Sequence, residues 1–418
     1  MKVTIISRKY IKPSTPTPPN LRRYKLSALD EIIPPMNMSL ILFYPQNPKP
    51  DPKKPDPQQT LPHILTRFYP FAGRYLQNDL SVDCNDEGAE FVEAELPGLD
   101  LSTFLSKIEN DESLDCLLPR TTYDVDKPDD PILSVQITNF PKCGGWALGI
   151  SLSHRISDAS SLGTFVSAWA HAEKKTVFPT FDAPSIFPGT GLAPEFEPPR
   201  SVAVRRLRFG REAVSRLRSE LRRPETTRVR VVSAVVAKAL LKIELAKNGR
   251  ACYLGQGVNM RPRTVPPLGS HACGNFVYEA VVRCMEAGGT REPGLDELVR
   301  VVGGSIEKAV EECGKMMRLD GERRVEMVRR PLEKMFETLA SGDNVAMWFT
   351  DWSKFGFYEA DFGWGKPVWV RVGKVCTENL TILMEDREGG GIEAWVHLSH
   401  EDVPAFESDD DIKLFLVA

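Results

Sequence analysis

A proline-rich stretch near the middle of the chain, FDAPSIFPGTGLAPEFEPP at 181–199, carries five Pro and no sustained apolar period, so no helix or sheet ladder runs through it. It divides the 418 residues into halves of ordinary domain size, each long enough to bury its own core. We therefore expect an N-terminal domain over 1–184, a crossover loop over 185–200 and a C-terminal domain over 201–418. Alternating stretches that suit strands fall at 39–43, 132–140, 145–153, 253–258, 345–351, 380–384 and 393–397. Stretches of helical period interleave with them at 58–68, 159–174, 211–222, 230–247, 294–315 and 322–340. This predicts an α/β fold of mixed sheet and flanking helices in both halves. A second proline run, YPQNPKPDPKKPDP at 44–57, reads as an exposed loop.

A formal net charge of −4 argues against nucleic acid or an anionic membrane as the main partner. Ten Arg between Arg205 and Arg230 form the one basic run, and a solvated face is the ordinary reading of it. The eight Cys are scattered without metal-ligand spacing, which fits a reducing compartment and no metal. The N-terminus lacks a signal-peptide pattern and no apolar stretch approaches a membrane span. A soluble, cytoplasmic protein is the expectation.

The chemistry concentrates in SLSHRISDASS, Ser151 to Ser161. His154 stands where the alternating strand 145–153 stops, and Asp158 opens the helix that follows, so the two lie in one turn and not on one helical face. There is no G-x-S-x-G elbow, no phosphate loop, no H-E-x-x-H and no G-x-G-x-x-G. What remains is a lone imidazole, neutral near physiological pH and suited to taking a proton from a hydroxyl or an amine. Such a base suffices for acyl transfer when the donor, such as a thioester, already carries a good leaving group.

These residues resemble a known family. SLSHRISDASS matches the HxxxD motif of the plant BAHD acyltransferases, and Asp361-Phe362-Gly363-Trp364-Gly365 matches their second signature, DFGWG. YPFAGR at 69–74, DCNDEGAEF at 83–91, VNMRPR at 258–263 and FTDWSKFGFYEADFGWGKPVWV at 349–370 follow in the order the family shows. Ala159 after the Asp and the opening KPSTPTPP are most similar to the branch of vinorine synthase and related alkaloid and alcohol acetyltransferases.

The resemblance implies a monomer of two chloramphenicol acetyltransferase-like domains with a channel between them, entered by acyl-CoA and by a small-molecule acceptor. It implies an O-acyltransferase with acetyl-CoA as co-substrate and no permanently bound cofactor. The acceptor would be an alcohol of specialised metabolism, an alkaloid or terpenoid. Hydroxycinnamoyl or benzoyl transfer and N-acylation are the alternatives, and a non-catalytic binding protein of the same fold is a remote one. On the same ground His154 is the general base, and Asp158 is mainly structural, paired with Arg261. Thr350 and Trp352 stand by the reacting carbonyl, and Arg228 and Ser233 by the CoA phosphates. Two Gly around a Trp suit a packed bend better than a proton-transfer site, so Asp361 to Gly365 is expected to be structural. Asp351, where relatives more often carry Ser, has to face away from Thr350 or alter the pantetheine contacts.

Overall fold

The computed structural model describes residues 2–47, 56–107, 112–125, 127, 129–174, 176–192, 201–247 and 249–417. Most of the first proline loop and the 193–200 part of the expected crossover lie outside these residues. The chain forms two compact units, one of 1–197 with 269–276 and 355–375, the other of 198–268, 277–354 and 376–418.

Each unit is built on a six-stranded mixed sheet. In the first the order is Thr4–Ile11, Ala89–Glu95, Leu133–Phe140, Gly145–Ser153, Asn37–Tyr44 and Trp369–Val372. Asn37–Tyr44, NMSLILFY, is buried at every position, as a strand covered on both faces must be. The last strand corrects the sequence division. Trp369–Val372 pairs antiparallel with Leu40–Phe43 and so draws 355–375, with the DFGWG run, into the first unit rather than the C-terminal domain. A small three-stranded sheet, Arg23–Lys25, Ser81–Asp83 and Arg74–Leu76, completes that unit.

In the second unit the order is Val277–Met285, Ala251–Asn259, Asn344–Asp351, Leu380–Glu385, Ile392–Leu398 and Ala203–Phe209. Its core lies on one face of the sheet, where Val232, Val235, Val236 and Leu240 of helix Arg228–Lys247 meet Leu254, Met347, Phe349, Leu383 and Val396. Each such fully buried side chain stabilises by about 1.5–3 kcal/mol. The arginine run is largely spent on structure. Arg206 is 7% exposed and holds Glu393 with two bonds of 2.7 and 3.1 Å, while Arg208 reaches Glu388 and Arg223 reaches Asp296, both at 2.6 Å. Among the described residues no helix is long and apolar enough to cross a membrane.

Candidate functional site

His154 follows the last residue of strand Gly145–Ser153, in the turn before helix Ala159–Ala170. Its backbone is fixed on both sides, the N–H donating to Met36 O at 2.8 Å and the carbonyl accepting Asn275 Nδ2 at 2.8 Å. The ring is half-buried, with Nδ1 enclosed and, among the described residues, without a hydrogen-bond partner. Burial lowers its pKa below the ordinary histidine value, against the opposing pull of the Asp158 carboxylate. The imidazole is thereby kept neutral, the form a base requires.

Asp158 is turned to a different task. It is the N-cap of helix Ala159–Ala170, Oδ1 accepting Ser161 N at 2.8 Å and Ser161 Oγ at 2.9 Å. Its Oδ2 accepts Phe276 N at 3.1 Å, and Ser161 Oγ is bonded in turn to the backbone of Gly274. The aspartate thus ties the helix start to the returning segment 269–276. Arg261, expected as its partner, belongs to the second unit, is 2% exposed and donates its backbone N–H at 3.0 Å and Nη1 at 3.2 Å to Asn259 Oδ1.

Two residues that sequence reading does not single out stand behind His154. Asn275, besides holding the His154 carbonyl, donates Nδ2 to Asp30 Oδ1 at 2.8 Å. Asp30, fully buried in a capping box with Ser27, accepts Ser27 N and Oγ on Oδ2 at 2.9 and 2.7 Å. Burial raises the Asp30 carboxyl to about 6 in spite of these bonds. A carboxyl raised above its unfolded value of 3.8 binds its proton more tightly in the folded chain, so this group favours folding at low pH. That contribution is lost as pH rises from about 4 through about 6 and amounts to about 3 kcal/mol. We expect urea midpoints of Asp30→Asn to gain on wild type as pH climbs from 4 to 7; a difference constant across that range would contradict this account.

In the second unit Thr350 is half-buried on strand Asn344–Asp351, and Trp352, 7% exposed, follows the strand with its backbone N–H on Leu383 O at 2.8 Å. Asp351 alternates to the face of Phe349 and turns back on Ser353, accepting its N–H at 2.9 Å and Oγ at 2.6 Å. It therefore faces away from Thr350. Arg228 begins helix Arg228–Lys247 half-buried, with Nη1 donating to Gly391 O at 3.3 Å. Ser233, just over a turn on, is buried at 0% with Oγ unpartnered among the described residues, so of the two only Arg228 presents a polar group to solvent.

The DFGWG run is a packed bend. Asp361 Oδ1 accepts Gly363 N and Gly365 N at 2.8 and 3.0 Å, and both glycines have positive φ, +96° and +87°. Trp364 stacks on Trp146 of the His154 strand at 5.5 Å, and Phe362 meets the edge of Trp169 at 5.0 Å. Its aromatic residues thus brace both the strand and the helix that flank the His154 turn. His397, for which the sequence offers no partner, is buried with Nδ1 3.0 Å from Leu380 O.

The sequence profile described as Transferase family matches residues 1–211 and 211–412. The chain belongs to the BAHD acyltransferases. This BAHD protein is 38% identical to pelargonidin 3-O-(6-caffeoylglucoside) 5-O-(6-O-malonylglucoside) 4'''-malonyltransferase of Salvia splendens, over the whole of both chains. It is 34% identical to stemmadenine O-acetyltransferase of Catharanthus roseus, over 98% of this chain and 97% of that one. With vinorine synthase of Rauvolfia serpentina the identity is 33%, over 95% and 94%. The crystal structure of vinorine synthase matches with a TM-score of 0.84 over 99% of this chain and 98% of that one. Fusarium graminearum TRI101, complexed with coenzyme A and T-2 mycotoxin, shares the fold at 15% identity, with a TM-score of 0.71 over 94% and 99%. This BAHD chain is accordingly an enzyme, an acyltransferase, with the two-domain α/β fold of its relatives.

Proposed function

We propose that this BAHD enzyme transfers an acyl group from acyl-CoA to a hydroxyl of a plant specialised metabolite, with His154 as general base. The observation that carries the reading is the His154 turn: an imidazole kept neutral by burial at a strand end, its backbone held by Met36 and Asn275. In the proposed reaction Nε2 takes the acceptor's hydroxyl proton as the oxygen attacks the thioester carbonyl. The tetrahedral adduct collapses with cleavage of the C–S bond, and the imidazolium returns the proton to the CoA thiolate, whose thiol pKa is roughly 8.5 by analogy with cysteine. No covalent acyl-enzyme forms. The Thr350 hydroxyl and the Trp352 indole N–H are proposed to stabilise the oxyanion, and Arg228 to meet the CoA phosphates. Asp158 and Arg261 are assigned structural roles.

Acetyl-CoA is the proposed donor and an alkaloid or terpenoid alcohol the proposed acceptor, in line with vinorine synthase and stemmadenine O-acetyltransferase. Malonyl transfer to a sugar is a second reading, favoured by the 38% identity to a malonyltransferase. Thiol release from acetyl-, malonyl-, benzoyl- and p-coumaroyl-CoA, each with pooled alcohols and amines, separates these readings. Release with acetyl-CoA alone, with an ester found by mass analysis, is the expected result. Release with no donor would overturn the proposal.

A further inference from the structure

Glu279 is an ionisable residue that the mechanism leaves unused. It lies on strand Val277–Met285, where Gly257 is its cross-strand partner. Strand Ala251–Asn259 runs parallel to Asn344–Asp351 with Gly255 beside Trp348 and Gln256 beside Phe349, and one further step brings Thr350 alongside Gly257. Glu279, Gly257 and Thr350 therefore form one row across three strands.

That row is on the face away from the core. Phe349 points into the helical core, whereas a Cβ on Gly255 would lie 2.2 Å from the Trp348 ring, so Gly255, Trp348, Gly257 and Thr350 share the other face. Tyr278 and Ala280, on either side of Glu279, pack with Val258, Ala309 and Ile306 on the helical side, which places Glu279 with Thr350. Strand spacing sets their backbones about 10 Å apart. Between them Gly257 contributes no side chain, and the carboxylate leans over the gap, with Oε1 3.8 Å from where a Gly257 Cβ would stand.

Burial raises the Glu279 carboxyl to about 7, with no opposing charge or hydrogen bond in play among the described residues. Arg283, further along the same face of the strand, is held by Glu286 at 3.0 Å. A half-buried carboxylate without a partner is costly unless a ligand supplies one.

Building on the proposed transferase reading, we infer that Glu279 determines acceptor specificity by binding a second hydrogen-bond-donating group of the acceptor, an ammonium or a hydroxyl, across Gly257 from Thr350. The reacting hydroxyl is not this group. The residue acts on binding, not on the proton transfer.

Wild type, Glu279→Gln and Glu279→Ala are to be assayed with acyl-CoA and three acceptor sets: amino alcohols, neutral polyols including glucosides, and plain monohydric alcohols. Thermal melts confirm that the variants are folded. The expected result is a wild-type preference in kcat/KM for one of the first two sets over plain alcohols. If the second group is an ammonium, both variants raise its KM about 10- to 100-fold with kcat little changed. If it is a hydroxyl, Gln still accepts the bond and only Ala raises KM, about tenfold. A wild-type preference for plain alcohols, or an unchanged KM in both variants, overturns the inference while leaving the transferase reading intact. Absence of any His154-dependent transfer by wild type would overturn both, and the thiol readout tells the two failures apart.

Discussion

His154→Ala is expected to lower kcat by about 10²–10⁴-fold while the protein stays folded. The backbone bonds of this residue to Met36 O and from Asn275 Nδ2 survive truncation of the side chain. Among the described residues the ring's Nδ1 has no hydrogen-bond partner, so truncation breaks no bond at that nitrogen. Loss of the base removes a transition-state interaction, so kcat and kcat/KM fall together and the acceptor KM changes little. Steady-state thiol release beside a thermal melt measures both quantities. A variant that retains more than about a tenth of wild-type kcat would remove His154 from the mechanism.

Asp158→Ala should act on the fold. Its carboxylate satisfies four groups' worth of local order: Ser161 N, Ser161 Oγ, Phe276 N and, through Ser161, the Gly274 backbone. Loss of the N-cap costs about 1 kcal/mol, and each buried donor left unpaired costs about 1–3 kcal/mol. A destabilisation of about 3–5 kcal/mol follows, which is a large part of a domain's stability, so folded yield should fall as much as turnover. Asp158→Asn keeps an oxygen for Ser161 but sets an amide N–H against Phe276 N, and should lie between wild type and Ala. Denaturant midpoints and soluble yield decide the matter. A stable, soluble Asp158→Asn protein as inactive as His154→Ala would make Asp158 catalytic.

Much of the architecture is legible in the sequence because it is local. The strand expected at 145–153 is Gly145–Ser153, and the helices expected at 230–247 and 294–315 are Arg228–Lys247 and Leu295–Met316. The helix expected at 159–174 stops at Ala170, where His171 caps it. Strands whose alternation is interrupted by charge escape notice: Ala203–Phe209 carries Arg205, Arg206 and Arg208, and Val277–Met285 carries Glu279 and Arg283. Trp369–Val372 is too short to announce itself, yet its pairing with Leu40–Phe43 decides to which unit the DFGWG bend belongs.

The same distinction holds for the candidate site. His154 and Asp158 share one turn and are readable together, whereas Asn275 lies 121 residues from His154 and 245 from Asp30. No spacing rule links such positions; the fold alone brings them together. The orientation of Asp351 is an intermediate case, since strand alternation allows it and the bonds to Ser353 fix it.

That a neutral His154 is the base is tested by the pH dependence of kcat/KM, measured for wild type, His154→Ala and Asp30→Asn. Since burial holds the His154 pKa below the ordinary histidine value of 6.5, the wild-type rate should rise with pH through a single ionisation below 6.5 and then level off. Asp30→Asn should keep this limb, which separates it from the Asp30 carboxyl near 6, and the residual rate of His154→Ala should lack it. A limb that persists in His154→Ala, or vanishes in Asp30→Asn, would contradict the account.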